Sequence, residues 1–162
     1  VSDEDWENSF QVNLMSAVRL CRLSIPALRK SFCPRIINIS SIAASNPQEI
    51  FPHYSAMKAG LSNLTVSLAQ TLSEDGICVN TISPGPVWSR SWAQEAEAQG
   101  SGSSFEEAKK NIMEQTGESI PLKRMGMPED LTGLALFLAS EQSSWITATN
   151  FTVDGGLTRN PF

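Results

Sequence analysis

The chain lacks the features that mark membrane-spanning and nucleic-acid-binding proteins. Its 162 residues contain no apolar run near the roughly 18 residues that a bilayer span needs. Its formal net charge is −5, and its basic residues form no stripe along the sequence. An acidic chain repels phosphate backbones and anionic lipids, so we expect neither nucleic acid nor a membrane as a partner.

Cysteine is scarce, and its three occurrences (Cys21, Cys33 and Cys78) are isolated from one another. This spacing fits neither a zinc site nor a disulfide framework, so we predict no metal site. Cys78 lies in an apolar run and is interpreted as a core residue. The acidic, polar N-terminal segment does not have the basic and then apolar pattern of a secretory signal. We therefore expect a reducing, cytoplasmic location.

Helical periodicity is present at the start of the chain. Ser2 followed by Asp5 is typical of a helix cap, and apolar residues recur at helical spacing from Trp6 to Leu23. Pro26 is expected to kink this helix or to end its first part near Ile25.

Short apolar runs and further helical patterns then alternate along the chain. Strands are predicted at 35–39, 77–82 and 151–153, and helices at 54–72, 104–113 and from Pro128 onward. Strands separated by helices favour parallel pairing with both faces of the sheet covered. The fold class is therefore α/β, with part of a Rossmann-like, doubly wound parallel sheet.

Tyr54 and Lys58 are the sharpest chemical feature. Residues four apart on a helix share one face. An isolated phenol has a pKa of about 10, and a neighbouring ammonium lowers the pKa of a phenol. Such a pair can exchange a proton with an alcohol or a carbonyl near neutral pH. Tyr-x-x-x-Lys also occurs by chance, but Tyr54 is the only tyrosine.

Ser40 and Ser41 follow the first predicted strand, so their hydroxyls would emerge at its carboxyl end. Ligands of open α/β sheets bind at that edge. Because side chains alternate along a strand, only one of the two hydroxyls should face the ligand.

These motifs, in this order, resemble the short-chain dehydrogenase/reductase family. The resemblance rests on Ile36 to Ser41, Tyr54 with Lys58, Asn80 to Val87, Leu136 to Ser140 and Val153 to Gly156, and it extends over essentially the whole chain. It implies a hydride-transferring oxidoreductase that uses NAD or NADP on a secondary alcohol or ketone. It also implies a homodimer or homotetramer built through the helices around 6–29 and 54–72.

The resemblance assigns the family's catalytic tetrad to Asn13, Ser41, Tyr54 and Lys58. Tyr54 would donate or accept the proton, and Ser41 would hydrogen-bond the substrate oxygen. Lys58 would assist Tyr54 and hold the nicotinamide ribose. Asn13 would position a water that links Lys58 to solvent; the alternative is an asparagine that merely bends or hydrates its helix.

The resemblance also assigns a cofactor-binding segment after the second strand. Pro84, Gly85, Val87 and Ser89 would line the nicotinamide, together with Tyr54 and Lys58. Ser89 stands where the family usually has threonine, and Ala148 stands where glycine is common.

The resemblance also implies a substrate lid over about 87–127, in a single catalytic domain that spans 1–162. Trp88 is the candidate substrate contact in the lid, although the aromatic residues there could instead pack the lid onto the body. A glycine- and serine-rich stretch at 99–104 is linker-like.

The family's glycine-rich dinucleotide motif, which should follow an N-terminal strand, is not found in this sequence. We therefore interpret the chain as the C-terminal part of the fold and expect the isolated 162 residues to be inactive. The alternatives are a non-catalytic binding or scaffold protein on the same fold, or an inactive fragment.

Overall fold

The structure is a computed structural model, and it describes residues 1–47, 49–99 and 104–159. Its strands are β1 (Arg35–Ile39), β2 (Cys78–Pro84) and β3 (Asn150–Val153). Its helices are α1 (Asp3–Phe10), α2 (Ser16–Leu28), α3 (Pro52–Thr71), α4 (Arg90–Gln99), α5 (Phe105–Glu118) and α6 (Glu129–Ala139). A π-helical turn, Gln11–Met15, joins α1 to α2, and short 3-10 turns occupy Ile42–Ala44 and Glu141–Ser143.

The three strands form one sheet in the order β1-β2-β3. β1 and β2 run parallel, with Arg35 opposite Cys78 and Ile39 opposite Ile82. β3 is also parallel to β2, because the bonds from the Ala148 amide to Val79 and from the Gly85 amide to Val153 advance together along both strands. The sheet confirms the predicted α/β class, since α3 provides the crossover that parallel neighbours require.

The chain divides into two compact units. The first comprises 1–83 and 133–152, and the second comprises 84–132 and 153–162. In the parts of the chain that the structure describes, no helix is both long and apolar enough to cross a bilayer.

The core of the first unit lies between α2, α3 and the sheet. Its buried side chains are Cys21, Ile36, Ala69, Leu72, Ile77 and Val79. Gly76, at φ 68°, makes the turn from α3 into β2, a left-handed conformation that favours glycine. Cys78 is buried, as predicted.

The first helical segment agrees with the sequence prediction at its start and differs from it farther along. Ser2 and Asp5 form the predicted capping box. Pro26, however, does not end the helix, because α2 continues to Leu28. The interruption lies instead at Gln11–Met15, where the Ser16 amide bonds to the Gln11 carbonyl in π-helical spacing.

The second unit contains a pair of packed helices, α4 and α5, with its own apolar cluster. Ala96, Ala108 and Ile112 are buried, and Trp88 and Trp92 pack against them. Ser104 caps α5 through a capping box with Glu107, and α5 extends beyond the predicted end to Glu118. Helix α4 was not anticipated, and the linker-like residues 100–103 that follow it lie outside the described residues.

Candidate active site

Ser41 lies where β1 gives way to the first 3-10 turn. Its backbone is extended, at φ −163°, and its hydroxyl accepts a 3.1 Å hydrogen bond from the Ala43 amide. That bond caps the turn and leaves the hydroxyl proton free to be donated to a ligand. Ser41 is half-buried, whereas Ser40 is only 4% exposed. The two hydroxyls therefore face different surroundings, as strand alternation predicts.

Tyr54 and Lys58 lie on the first turns of α3, which begins at Pro52. Proline suits a helix start because its missing N–H has no intrahelical partner there. The Lys58 ammonium lies 5.6 Å from the centre of the Tyr54 ring. The structure thus brings the two predicted residues together on one face of the helix.

The Lys58 side chain also reaches the end of β1. Its Nζ donates a 2.9 Å hydrogen bond to the Ile39 carbonyl. Burial lowers the pKa of Lys58 below its ordinary value, because a half-buried ammonium is less well solvated than a free one. One N–H is used by Ile39, and an ammonium carries three, so donors remain for a ligand hydroxyl.

Asn13 lies in the middle of the π-helical turn. Its Nδ2 donates a 3.2 Å hydrogen bond to the Ser9 hydroxyl. The same turn packs on α3: a Cβ placed at Gly60 would lie 3.4 Å from Leu14. π-helical turns inside α-helices are frequent at functional sites. Asn13 therefore occupies a π-helical turn next to the helix that carries Tyr54 and Lys58.

The predicted cofactor-binding segment belongs to the second unit. The Trp88 amide donates to the Gly126 carbonyl at 2.9 Å, and the Gly126 amide donates to Pro86 at 3.0 Å. Val87 forms a parallel bridge with Gly126. In this parallel bridge, the hydrogen bonds to Gly126 are made by Pro86 and Trp88, the neighbours of Val87. The amide and carbonyl of Val87 itself therefore point away from Gly126.

Gly85 has a packing role of its own. Its amide donates to the Val153 carbonyl at 2.9 Å. A Cβ at this position would lie 2.7 Å from the Asp154 Cβ and 2.8 Å from its Cα. Glycine is therefore required here to let the Asp154 backbone approach, whatever the segment binds. Sequence reasoning named Gly85 but attributed it to the cofactor alone.

Trp88 packs in the second unit against the apolar cluster of α4 and α5, with the Lys109 ammonium 5.3 Å from its ring centre. This packing lies within the second unit. Contact of Trp88 with a substrate and packing of the lid onto the body therefore both stay predictions. Ser89 is exposed, and its hydroxyl shares a 2.9 Å hydrogen bond with the Ser91 hydroxyl. Within the described ranges, no group of three or more His, Cys, Asp or Glu residues could hold a metal ion.

Known proteins extend this local picture to the whole chain. Residues 1–158 match the family described as enoyl-(acyl carrier protein) reductase. The chain is 30% identical over 153 residues to acetoacetyl-CoA reductase of Cupriavidus necator, covering 94% of this chain and 57% of that protein. It is 36% identical to 3beta-hydroxysteroid dehydrogenase 1 of Eggerthella lenta, covering 99% of this chain and 58% of that protein.

A solved structure shows the same fold. L-sorbose reductase from Gluconobacter frateurii, complexed with NADPH and L-sorbose, superposes with a TM-score of 0.88 at 31% identity. The match covers 99% of this chain and 60% of that protein. The chain therefore spans somewhat less than two thirds of the length of these relatives. With a family match over nearly every residue and a Rossmann-like fold in common, the chain belongs to the short-chain dehydrogenase/reductase family.

Proposed function

We propose that the protein is an NAD(P)-dependent oxidoreductase that interconverts a ketone and a secondary alcohol. The observation that carries the proposal is the Lys58 ammonium, which is bonded to the carbonyl of Ile39, two residues before Ser41, and lies 5.6 Å from the Tyr54 ring centre. In the proposed site, the Tyr54 phenol, the Ser41 hydroxyl and the Lys58 ammonium act together at the carboxyl end of β1. These are the groups that proton exchange with a substrate oxygen requires.

Each residue of the tetrad has a defined task in this proposal. The Tyr54 hydroxyl gives its proton to the carbonyl oxygen during reduction and takes it back during oxidation. The Ser41 hydroxyl donates a hydrogen bond to the same oxygen and stabilises the charge that develops there. Lys58 assists Tyr54 in the proton transfer, and Asn13 orders a water that connects Lys58 to solvent.

The residues of the second unit fit the nicotinamide end of the cofactor. A carboxamide needs one acceptor and one donor, and the outward-facing amide and carbonyl of Val87 supply both. Ser89 adds an exposed hydroxyl close by in the sequence, and Pro84 and Gly85 complete the segment. Lys58 has donors to spare for the ribose hydroxyls. The bound nicotinamide would supply or take up the hydride.

Relatives support the substrate class. The names of the reductases and dehydrogenases that match this chain refer to an acetoacetyl thioester, a hydroxysteroid and a sugar. All three names are consistent with a ketone and alcohol pair, which is the bond type that the proposed tetrad handles. We propose a small-molecule ketone or secondary alcohol of this kind as the substrate.

The test uses the protein expressed from its complete reading frame, with NADH and NADPH and a panel of ketones. Tyr54→Phe removes the transferable proton, so turnover should fall by roughly 10²–10⁴-fold while the circular dichroism spectrum stays unchanged. Ser41→Ala should also lower turnover. Ser45→Ala is the matched control, because this exposed serine lies in the same loop and its hydroxyl donates a 3.4 Å hydrogen bond to the Ile42 carbonyl. Wild-type turnover by Tyr54→Phe would contradict the proposal.

The alternative function is a non-catalytic binding or scaffold protein on the same fold, and it would not account for the four residues of the tetrad. A binding or scaffold protein has no need for Asn13, Ser41, Tyr54 and Lys58 together. If the full-length protein binds dinucleotide but turns over none of the ketones or alcohols, the scaffold alternative replaces the enzyme.

Self-association is proposed on the same footing. Apolar side chains are exposed on α2 and α3: Leu20 is 68%, Leu23 is 74% and Val66 is 40% exposed. A homodimer or homotetramer would cover these two helices. Sedimentation of the full-length protein, with Leu23→Glu as the disrupting variant, tests this part independently of activity.

A further inference from the structure

The proposed reaction requires groups from two separate elements to meet. Ser41 follows β1, whereas Tyr54 and Lys58 lie on α3. A displacement of about 1 Å between reacting groups can lower a rate by roughly 10²-fold. Something in the first unit must therefore fix the end of β1 against the first turns of α3.

The Ser40 hydroxyl makes that connection. It donates a 3.0 Å hydrogen bond to the backbone carbonyl of Lys58, and it accepts a 2.9 Å bond from the Ser62 hydroxyl one turn farther along α3. The Ser40 amide also bonds to the Ile82 carbonyl on β2, at 2.8 Å. One buried residue thus joins β1, β2 and the helix that carries Lys58.

The neighbouring residue holds Lys58 a second time. The Ile39 carbonyl accepts from the Lys58 Nζ at 2.9 Å. The last residue of β1 therefore holds the side chain of Lys58, and Ser40, which follows it, holds the backbone of the same lysine. A serine that served only to fill space would not place its hydroxyl on the Lys58 carbonyl, which already lies within the α3 backbone ladder.

We propose that Ser40 is a positioning residue, whose hydroxyl sets the placement of Ser41 relative to Tyr54 and Lys58. This inference rests on the proposed function for its kinetic consequence. It extends that function, because the family resemblance assigned no role to Ser40. Ser62 is its partner, since the bond from Ser62 orients the Ser40 proton towards Lys58.

A second connection farther along the helix keeps the fold intact when Ser40 is changed. The Thr65 hydroxyl accepts from Asn38 at 2.9 Å and from Thr81 at 2.9 Å, and donates to the Leu61 carbonyl at 3.0 Å. Thr65 lies about two turns beyond Lys58. In a Ser40→Ala variant, the Ser62 hydroxyl can turn to the carbonyl four residues before it, a common bond for serine in helices. Thr65→Val is the matched control. It removes a buried hydrogen-bonding group that also joins α3 to the sheet, but at a position that is distant from Tyr54.

The experiment compares Ser40→Ala, Ser40→Thr and Thr65→Val in the full-length protein. Ser40→Ala should lower kcat on the order of tenfold to a hundredfold, with KM little changed and the pH profile of kcat displaced. Ser40→Thr keeps the hydroxyl and should recover most of kcat. Thr65→Val should lower the unfolding midpoint while the pH profile stays that of the wild type.

A second measurement does not depend on activity. Tyr54 is the only tyrosine of these 162 residues. Carbon-13 labelling at the tyrosine Cζ of the full-length protein gives an NMR signal for this ring, and the Tyr54→Phe variant assigns that signal by its loss. Ser40→Ala should move that signal, and Thr65→Val should leave it in place. If Ser40→Ala leaves both kcat and the Tyr54 signal unchanged, or if Thr65→Val alters them equally, the positioning role is wrong. If no variant or wild-type protein has oxidoreductase activity, the proposed function fails, and the Tyr54 signal still decides the role of Ser40.

Discussion

Gly85→Ala separates a packing requirement from a cofactor requirement at the same residue. The added Cβ would lie 2.7 Å from the Asp154 Cβ and 2.8 Å from the Asp154 Cα, whereas carbon atoms in contact prefer about 3.5–4.0 Å. The Asp154 backbone cannot easily retreat. Its carboxylate accepts from the amides of Gly156 and Thr158, at 2.9 and 2.7 Å, and the Gly85 amide is bonded to the preceding carbonyl, that of Val153.

Two opposing effects determine how much Gly85→Ala changes the free energy of unfolding. Overpacking of a well-packed site typically costs about 1–3 kcal/mol, and a clash with backbone belongs near the upper end of that range. Replacing glycine by alanine also restricts the unfolded chain, which returns about 0.4–1 kcal/mol. We expect the free energy of unfolding to fall by about 2 kcal/mol, which for a chain of this size lowers Tm by roughly 4–8 °C.

Gly133→Ala provides the matched control. Gly133 is exposed within α6. Apart from the neighbouring backbone of its own helix, a Cβ there would meet no heavy atom of the described residues within 4 Å. The same substitution should therefore stabilise the protein by about 1 kcal/mol, the usual helix preference for alanine over glycine. Both variants are compared with the wild type by urea denaturation followed by circular dichroism, without any dinucleotide.

The outcome distinguishes the two explanations of Gly85. If Gly85 matters only to the cofactor, Gly85→Ala unfolds at the wild-type urea concentration and loses only dinucleotide affinity. A wild-type midpoint for Gly85→Ala, alongside a raised midpoint for Gly133→Ala, would refute the packing explanation.

Three further predictions concern stability. Ala148 has φ 59°, a left-handed conformation in which a Cβ costs about 1–2 kcal/mol. Ala148→Gly should therefore stabilise the protein by up to about 1 kcal/mol, once the larger unfolded-state entropy of glycine is subtracted. A lowered Tm in a thermal melt would contradict this. Burial lowers the pKa of Lys58 in the folded protein. In the pH range just below the ordinary lysine pKa of about 10.4, the unfolded chain therefore binds more protons than the folded chain, and the stability of the wild type rises with pH. Urea denaturation should therefore show Lys58→Met gaining most relative to wild type at neutral pH, and a gain that does not shrink towards that pKa would refute the assignment. Hydrogen bonds from Arg124, and then from the Met127 amide, lower the pKa of Asp130, so their stabilisation is present above the ordinary carboxyl pKa of about 3.9 and is lost as pH falls below it. Asp130→Asn should flatten the acid limb of a Tm-against-pH curve, and an unchanged limb would exclude this contribution.

Local patterns predicted the secondary structure well where short-range physics determines it. The bounds of β1 agree with the sequence prediction at both ends, because a β-branched run is closed by polar residues. The capping boxes at Ser2 and Ser104 also form, since they depend on residues only three apart. Pro26 does not end α2 near Ile25, because it lies in the last turn of the helix, where the loss of one hydrogen bond matters little. A kink at Pro26 stays a prediction.

The candidate site could be predicted from the sequence only in part. The spacing of Tyr54 and Lys58 already predicts a shared helix face, and the resemblance named Ser41 and Asn13. Helical spacing does not reveal the π-helical turn around Asn13, because one extra residue in a helix leaves no reliable trace in apolar periodicity.

Composition, periodicity and ordered motifs were enough to specify an α/β chain of this family, and the resemblance proposed its tetrad. Tertiary contacts alone assign Ser40 to the Lys58 carbonyl, bring Gly85 against Asp154 and place Ala148 in the left-handed region. Each of these depends on the separation of atoms from segments that are distant along the chain. Such separations are set by how the strands, the helix and the loops pack, and no local sequence pattern encodes them.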